Sequence, residues 1–206
     1  MFDVFKNAWK VEDIREKLLY TLLIIVIFRL GAAIPVPFLD TTALSAMFGA
    51  NSGNLLGYLN MLTGGALSMA TVFALSISPY ITASIVIQLL TIAIPALERI
   101  AKEGAEGKKK INNLTRYTTV ILAVVTAIGY YFLMKNNGMI ATSGQTPLGA
   151  FVIITCYCAG ASLVMWLGEK INEYGIGNGI SIILFANIIS GLPAKIIRLI
   201  DPCIQG

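Results

Sequence analysis

The chain has 206 residues, 56% of them hydrophobic and 13% charged, with a formal net charge of +4 and no histidine. A soluble domain carries about 25% charged residues, so the composition excludes an ordinary soluble protein and points to an integral membrane one. The missing histidines remove the usual general base and metal ligand. The basic residues sit in short loops, where they report membrane topology rather than affinity for nucleic acid.

In chain order, residues 1–16 are charged, with Phe2, Phe5, Trp9 and Ile14 spaced for one helical face. This pattern predicts an amphipathic helix lying on the cytoplasmic membrane surface. The first apolar run, Leu18–Ile34, is span-length and ends at Ile34-Pro35-Val36-Pro37. It starts too late and runs too long for a cleavable signal peptide. No charged side chain then occurs between Asp40 and Glu98. A single span needs only about 20 residues, so this stretch holds a span and something more. Its first half, Thr41–Gly65, is rich in Gly, Ser, Thr and Asn. We expect it to dip into the membrane from outside, with a short helix near Leu55–Met61. Non-helical backbone at membrane depth persists only where protein or a water-filled cavity satisfies its polar groups.

The second half, Ala66–Ile94, predicts a second spanning helix, set off by the Gly64-Gly65 break and kinked at Pro79 in mid-span. Ala66, Ala70, Ala74 and Ser78 would form a small-residue stripe for close helix contact. Further spans are expected at Tyr117–Met134, Leu148–Gly168 and Ile176–Ile197. Lys6, Lys10, Arg15 and Lys17 precede the first span, and Arg99, Lys102, Lys108, Lys109, Lys110 and Arg116 lie between the second and third. The two intervening outer loops hold only Lys135. This bias puts the N-terminus in the cytoplasm and, after five spans, Asp201–Gly206 outside. A repeat with an odd number of spans is inverted in its twin, as in many transporter folds.

Several residues are candidates for function. Ile77, Ile81 and Ile85 recur every four residues. Core or lipid packing explains such a stripe plainly, and a hydrophobic constriction that excludes water explains it more sharply. Thr82 and Gln88 are polar groups in the same span, and helix–helix hydrogen bonding is the plain reading. Gly175, Gly177 and Gly179 follow no strand and lack a Gly-Lys-Ser/Thr, so they suit a tight lead-in to a helix better than a phosphate loop. Lys108–Lys110 suit an anchor on anionic lipid or, less simply, contact with a cytosolic partner. Cys156, Cys158 and Cys203 fit no metal spacing and suit packing. One half of an inverted-repeat secondary transporter or ion channel remains a competing reading. It usually requires ionisable groups at mid-membrane, and only Arg29 comes near. No acid, base or metal set suggests an enzyme, and no cofactor is expected.

Longer motifs carry a resemblance. Phe28-Arg29-Leu30-Gly31 with Ile34-Pro35-Val36-Pro37, Asn60-Met61 with Gly64-Gly65-Ala66-Leu67-Ser68, Pro79-Tyr80-Ile81-Thr82-Ala83-Ser84-Ile85, Met165-Trp166-Leu167-Gly168-Glu169 and Gly175-Ile176-Gly177-Asn178-Gly179-Ile180-Ser181 resemble the bacterial SecY family. The resemblance covers the whole chain. It implies an all-α integral membrane fold: the first five-span half of a ten-span inverted-repeat channel, with a re-entrant plug helix. It implies a protein-conducting channel subunit of the general secretory pathway in the bacterial plasma membrane. The implied pore ring is Ile77, Ile81, Ile180 and Leu184, where leucine departs mildly from isoleucine. The implied plug covers about Leu55–Leu67: Leu55, Leu56, Tyr58, Asn60, Met61, Leu62, Thr63, Gly64 and Gly65 with the residues just after them. The implied lateral gate has Thr82, Ile85 and Gln88. Implied partners are the second half (spans 6–10) or another copy, SecE-like and SecG-like small subunits, a SecA-like motor or the ribosome, anionic lipid, and a signal-bearing polypeptide. Direct contact with nucleic acid is not implied.

Overall fold

The computed structural model describes residues 11–50 and 55–191, and among these it is helical with no strand. The helices are α1 (Glu12–Gly31), α2 (Thr41–Ala50), α3 (Leu55–Leu62), α4 (Ser78–Ala93), α5 (Pro95–Lys102), α6 (Ala105–Asn136), α7 (Pro147–Tyr174) and α8 (Gly179–Ser190). The N-terminal amphipathic segment up to residue 10 and the chain beyond residue 191 lie outside the described residues, so the predicted fifth span is seen only in its first part.

α7 is central and packs against α1, α4, α6 and α8. α6 and α7 are each long and apolar enough to cross a membrane, and α4 with α5 makes a third candidate if the bent pair counts as one span. α6 begins twelve residues before the predicted third span. Its Lys- and Asn-rich first turns are helical without being apolar. α1 buries Thr21, Ile24 and Phe28 and leaves Leu19, Leu22, Leu23, Val26 and Leu30 exposed. An apolar face this long on a helix suits contact with lipid rather than water.

α1 ends at Gly31 because Pro35 follows and the backbone there pairs elsewhere. Val36 N–H donates to Ala70 O (2.9 Å) and Val72 N–H to Ile34 O (3.0 Å), an isolated antiparallel bridge. α2 was not expected. Asp40 starts it, since its Oδ1 accepts from the backbone N–H of Thr42 (3.0 Å) and Ala43 (3.2 Å), which satisfies two donors of the first turn. α3 falls where a short helix was expected.

The largest departure concerns the predicted second span. No helix runs from Ala66. Regular helix begins at Ser78, and residues 66–77 are a chain of turns. Pro79 stands in the first turn of α4 rather than kinking a longer helix. There its fixed φ suits the helix and its missing N–H costs nothing. The sharp bend, 102°, comes at Pro95 instead. Ala70 (φ 48°) and Ser76 (φ 50°) take left-handed backbone, which interrupts helix on either side of Thr71–Leu75. The small-residue stripe therefore does not exist as a helical face. Ala66, Ala70 and Ala74 are buried in the turns, and Ser78 is exposed.

The turn segment lies inside the bundle. Leu67, Ala70 and Ala74 join one core with Val36, Leu44, Ala127, Tyr131, Met134, Ile153 and Tyr157. Phe73 and Ile77 join the other with Ile24, Phe28, Val164, Leu167, Ile171 and Ile183. Phe73 stacks on Phe28 (ring centroids 5.4 Å, 12°). Gly160 of α7 is where the helix meets this backbone most closely. A Cβ there would lie 2.0 Å from Val72 O, so only glycine fits.

Candidate functional site

Turns at this depth need partners for their peptide groups, and those partners can be named. Thr71 N–H reaches Ala66 O, Ala74 N–H reaches Thr71 O, and Ser76 N–H reaches Phe73 O. Ser68 N–H donates to Asn60 Oδ1 (2.9 Å), Leu67 N–H to Thr63 Oγ1 (3.4 Å), and Tyr130 Oη–H donates to Leu67 O (2.8 Å). Asn60 and Thr63 thus link the end of α3 to the turns that follow. Tyr130 reaches them from α6. The irregular backbone is tolerated because protein groups replace water.

Among the implied ring residues, Ile77 is 1% exposed and belongs to the core around Phe28 and Ile183. Ile81, Ile180 and Leu184 pack against that core from partly exposed positions. One apolar cluster therefore unites all four across α4 and α8. Ile77 backs it and the other three show part of their surface. Asn178 caps α8, its Oδ1 accepting from Ile180 N–H (3.0 Å), while Asn172 Oδ1 accepts from Gly179 N–H (2.8 Å). The glycine-rich stretch 175–179 is thus a tight lead-in to α8, with Gly177 at φ 70°.

Thr82, Ile85 and Gln88 are exposed on α4. Both polar groups bond within their own helix: Thr82 Oγ1 to Ser78 O (3.1 Å) and Gln88 Nε2 to Ser84 Oγ (3.2 Å). Neither bridges helices among the described residues, unlike the plain reading of Gln88. In the re-entrant segment, Tyr58 and Met61 are exposed, Asn60 is half-buried and Thr63 buried. Gly64 (φ 66°) and Gly65 (φ 86°) make the turn that reverses the chain. The side chains of Leu55, Leu56 and Leu62 lie outside what is described.

Sequence reasoning missed a polar set at the far end of α8. Arg29, near the end of α1, donates through Nη2 to Ala186 O. Asn187 is fully buried, and its Nδ2 donates to Ser76 Oγ (3.1 Å) while its Oδ1 has no partner. An asparagine alone in the apolar run Ile182–Ile189 was the available signal. Outside the spans, Asp40 is held below the usual carboxylate range, first by the Thr42 hydroxyl and then by the N–H groups of Ala43 and Thr42.

The SecY family model matches residues 71–205. The protein translocase subunit SecY of Buchnera aphidicola from Acyrthosiphon pisum is 44% identical over 205 residues, covering 98% of this chain and 47% of the relative. That of Pseudomonas aeruginosa is 44% identical over 196 residues, covering 95% and 44%. The chain thus spans about half the length of these relatives. In fold it resembles Sec61 in the canine ribosome–channel complex from the endoplasmic reticulum, with a TM-score of 0.64 and 21% identity over 93% of this chain and 42% of that one. A solved protein-conducting channel gives the same figures. Identity with the bacterial relatives along nearly its whole length, and the family match over most of it, establish that the chain belongs to the SecY family.

Proposed function

We propose that this chain forms one half of the wall of a protein-conducting channel, through which signal-bearing unfolded polypeptides cross or enter the bacterial plasma membrane. The observation that carries the reading is the apolar cluster joining Ile77 and Ile81 of the α4 region to Ile180 and Leu184 of α8. It lies beside a buried, non-helical segment that begins at the Gly64-Gly65 turn. A ring of branched apolar side chains closes around a moving chain, and when empty it excludes water and ions. Ile81, Ile180 and Leu184 supply the exposed edge of that ring, with Ile77 packed behind them. The segment from Leu55 to Leu67 supplies the plug.

Half a wall cannot enclose a pore. The other half, spans 6–10 of the family or a second copy, completes it against the exposed α4 face of Thr82, Ile85 and Gln88. SecE-like and SecG-like subunits, anionic lipid, and a SecA-like motor or ribosome complete the assembly. The N-terminus is cytoplasmic, five spans cross the membrane, and no bond is made or broken. Membership of the SecY family disfavours the transporter reading.

The test is ion conductance of the complete channel. Ile81→Asn is expected to raise resting leak several-fold. The same change at Leu22, exposed on α1, is expected to leave it unchanged. Equal conductance of Ile81→Asn and parent channels would refute the assignment.

A further inference from the structure

The turn that ends α3 lies against groups from two other helices. A Cβ built on Gly64 would lie 2.9 Å from the carbonyl oxygen of Asn187, 3.0 Å from Ser190 Oγ and 3.3 Å from Arg29 Nη1. The Gly64 Cα therefore sits directly on the carboxyl end of α8, beside the guanidinium of α1. Ser190 Oγ–H donates to Asn187 O (2.8 Å), and Arg29 donates to Ala186 O. Arg29 is half-buried, with no acidic partner among the described residues. Its charge is met instead by the carbonyls at the negative end of the α8 dipole. Gly65, also at positive φ, has nothing within 4 Å of a built Cβ. The close approach thus belongs to Gly64 alone.

We propose that Arg29, Ser190 and the terminal carbonyls of α8 form a clasp on the Gly64 turn, the contact that must part before α3 can leave its resting place. This rests on the plug reading above. Three features suit a releasable contact. Gly64 brings no side chain, so release uncovers little apolar surface. Arg29 bonds the backbone of α8, so the guanidinium can keep that bond while the turn departs. The same end of α8 reaches the 66–77 turns through the Asn187–Ser76 bond, so a shift of α8 is felt at the turn and in the segment that follows it.

The experiment uses the complete channel carrying this sequence in lipid nanodiscs, with two readouts. Amide hydrogen exchange of residues 57–70 reports the clasp, and ion conductance reports the seal. Gly64→Ala places alanine at φ 66° and Gly65→Ala at the more strained φ 86°. Local strain therefore favours faster exchange in Gly65→Ala, and only the approach to α8 favours it in Gly64→Ala. Exchange in this segment is expected to be at least about tenfold faster in Gly64→Ala and Arg29→Gln than in the parent and Gly65→Ala. Arg29→Lys, which keeps the charge without the fork, falls between. Unchanged exchange in residues 117–134 shows the bundle intact, and the arginine pair carries the comparison if Gly64→Ala fails to assemble. Equal exchange in the two glycine variants, or parent-like exchange in Arg29→Gln, overturns the clasp. Faster exchange without added conductance upholds the clasp and counts against the plug reading.

Discussion

The Ser76–Asn187 pair allows a quantitative test of how α8 holds the buried turns. Ser76→Ala removes the one partner of Asn187 Nδ2. The amide of Asn187, fully buried and already lacking a partner at Oδ1, would then have neither end satisfied. A buried polar group stripped of its partner costs about 1–3 kcal/mol, while interhelical bonds in membrane bundles average nearer about 0.6 kcal/mol. Ser76→Ala should therefore destabilise by about 1–2 kcal/mol, toward the upper part of that range because the amide is fully buried. Backbone strain does not enter, since alanine at φ 50° is strained as serine is. Asn187→Leu keeps the branching of the side chain and removes both ends of the amide, leaving only the Ser76 hydroxyl short of its donor, so it should cost less than Ser76→Ala, about 1 kcal/mol or under. Once Asn187 is leucine, Ser76→Ala should add little. The double-mutant cycle then gives a coupling of about 1–2 kcal/mol. Unfolding free energies of the four proteins in bicelles measure it. Additive effects, or a larger loss from Asn187→Leu than from Ser76→Ala, would refute the reasoning.

Two further outcomes follow from single positions. Gly160→Ala puts a methyl 2.0 Å from Val72 O, whereas Gly129 of α6 has open space around it. The first should destabilise by about 1–3 kcal/mol through overpacking, and the second should stabilise by up to about 1 kcal/mol through helix propensity; equal signs in thermal unfolding would contradict the packing described. Hydrogen bonds lower the folded pKa of Asp40, so its contribution is present above the unfolded value of about 3.9 and is lost as pH falls through the folded one. The stability advantage of the parent over Asp40→Asn should accordingly be present at neutral pH and fade below about pH 4, and a difference constant with pH in denaturant titrations would count against the cap.

Apolarity made the long helices legible. The predicted spans Tyr117–Met134 and Leu148–Gly168 lie inside α6 and α7, and what apolarity could not locate was their polar ends. The same signal failed on residues 66–77. Those residues are as apolar as a span, but the left-handed Ala70 and Ser76, the bridge to Ile34–Val36 and the close approach of Gly160 interrupt the helix. All three are tertiary facts with no period in the sequence. Pro79 was visible, yet proline marks a helix start as readily as a kink, and only the flanking backbone decides. The proposed ring rests on family motifs, since the isoleucine stripe alone fits ordinary packing. Arg29 was visible as the ionisable group nearest mid-membrane, but its meeting with Ser76, Asn187 and Ser190 was missed because α1 and the 66–77 turns lie far from α8 in the chain.

These elements share one physical logic. A continuous helix through the middle of a bundle satisfies its own backbone and has no reason to move. Residues 63–77 bond through Asn60, Thr63, Tyr130 and neighbouring turns, and α8 bonds the segment at Ser76 and lies close against it at Gly64. Each such bond can be exchanged for another partner, whereas the Phe28–Phe73 stack and the two apolar cores resist change as units. The segment is therefore tied to α3, α6 and α8 by replaceable polar contacts, while the helices around it meet through apolar packing. On the proposed function, a channel that opens without unfolding needs that division of labour. It places the movable contacts at Arg29, Gly64, Asn187 and Ser190, and the fixed ones at Gly160, Phe28 and Ile183.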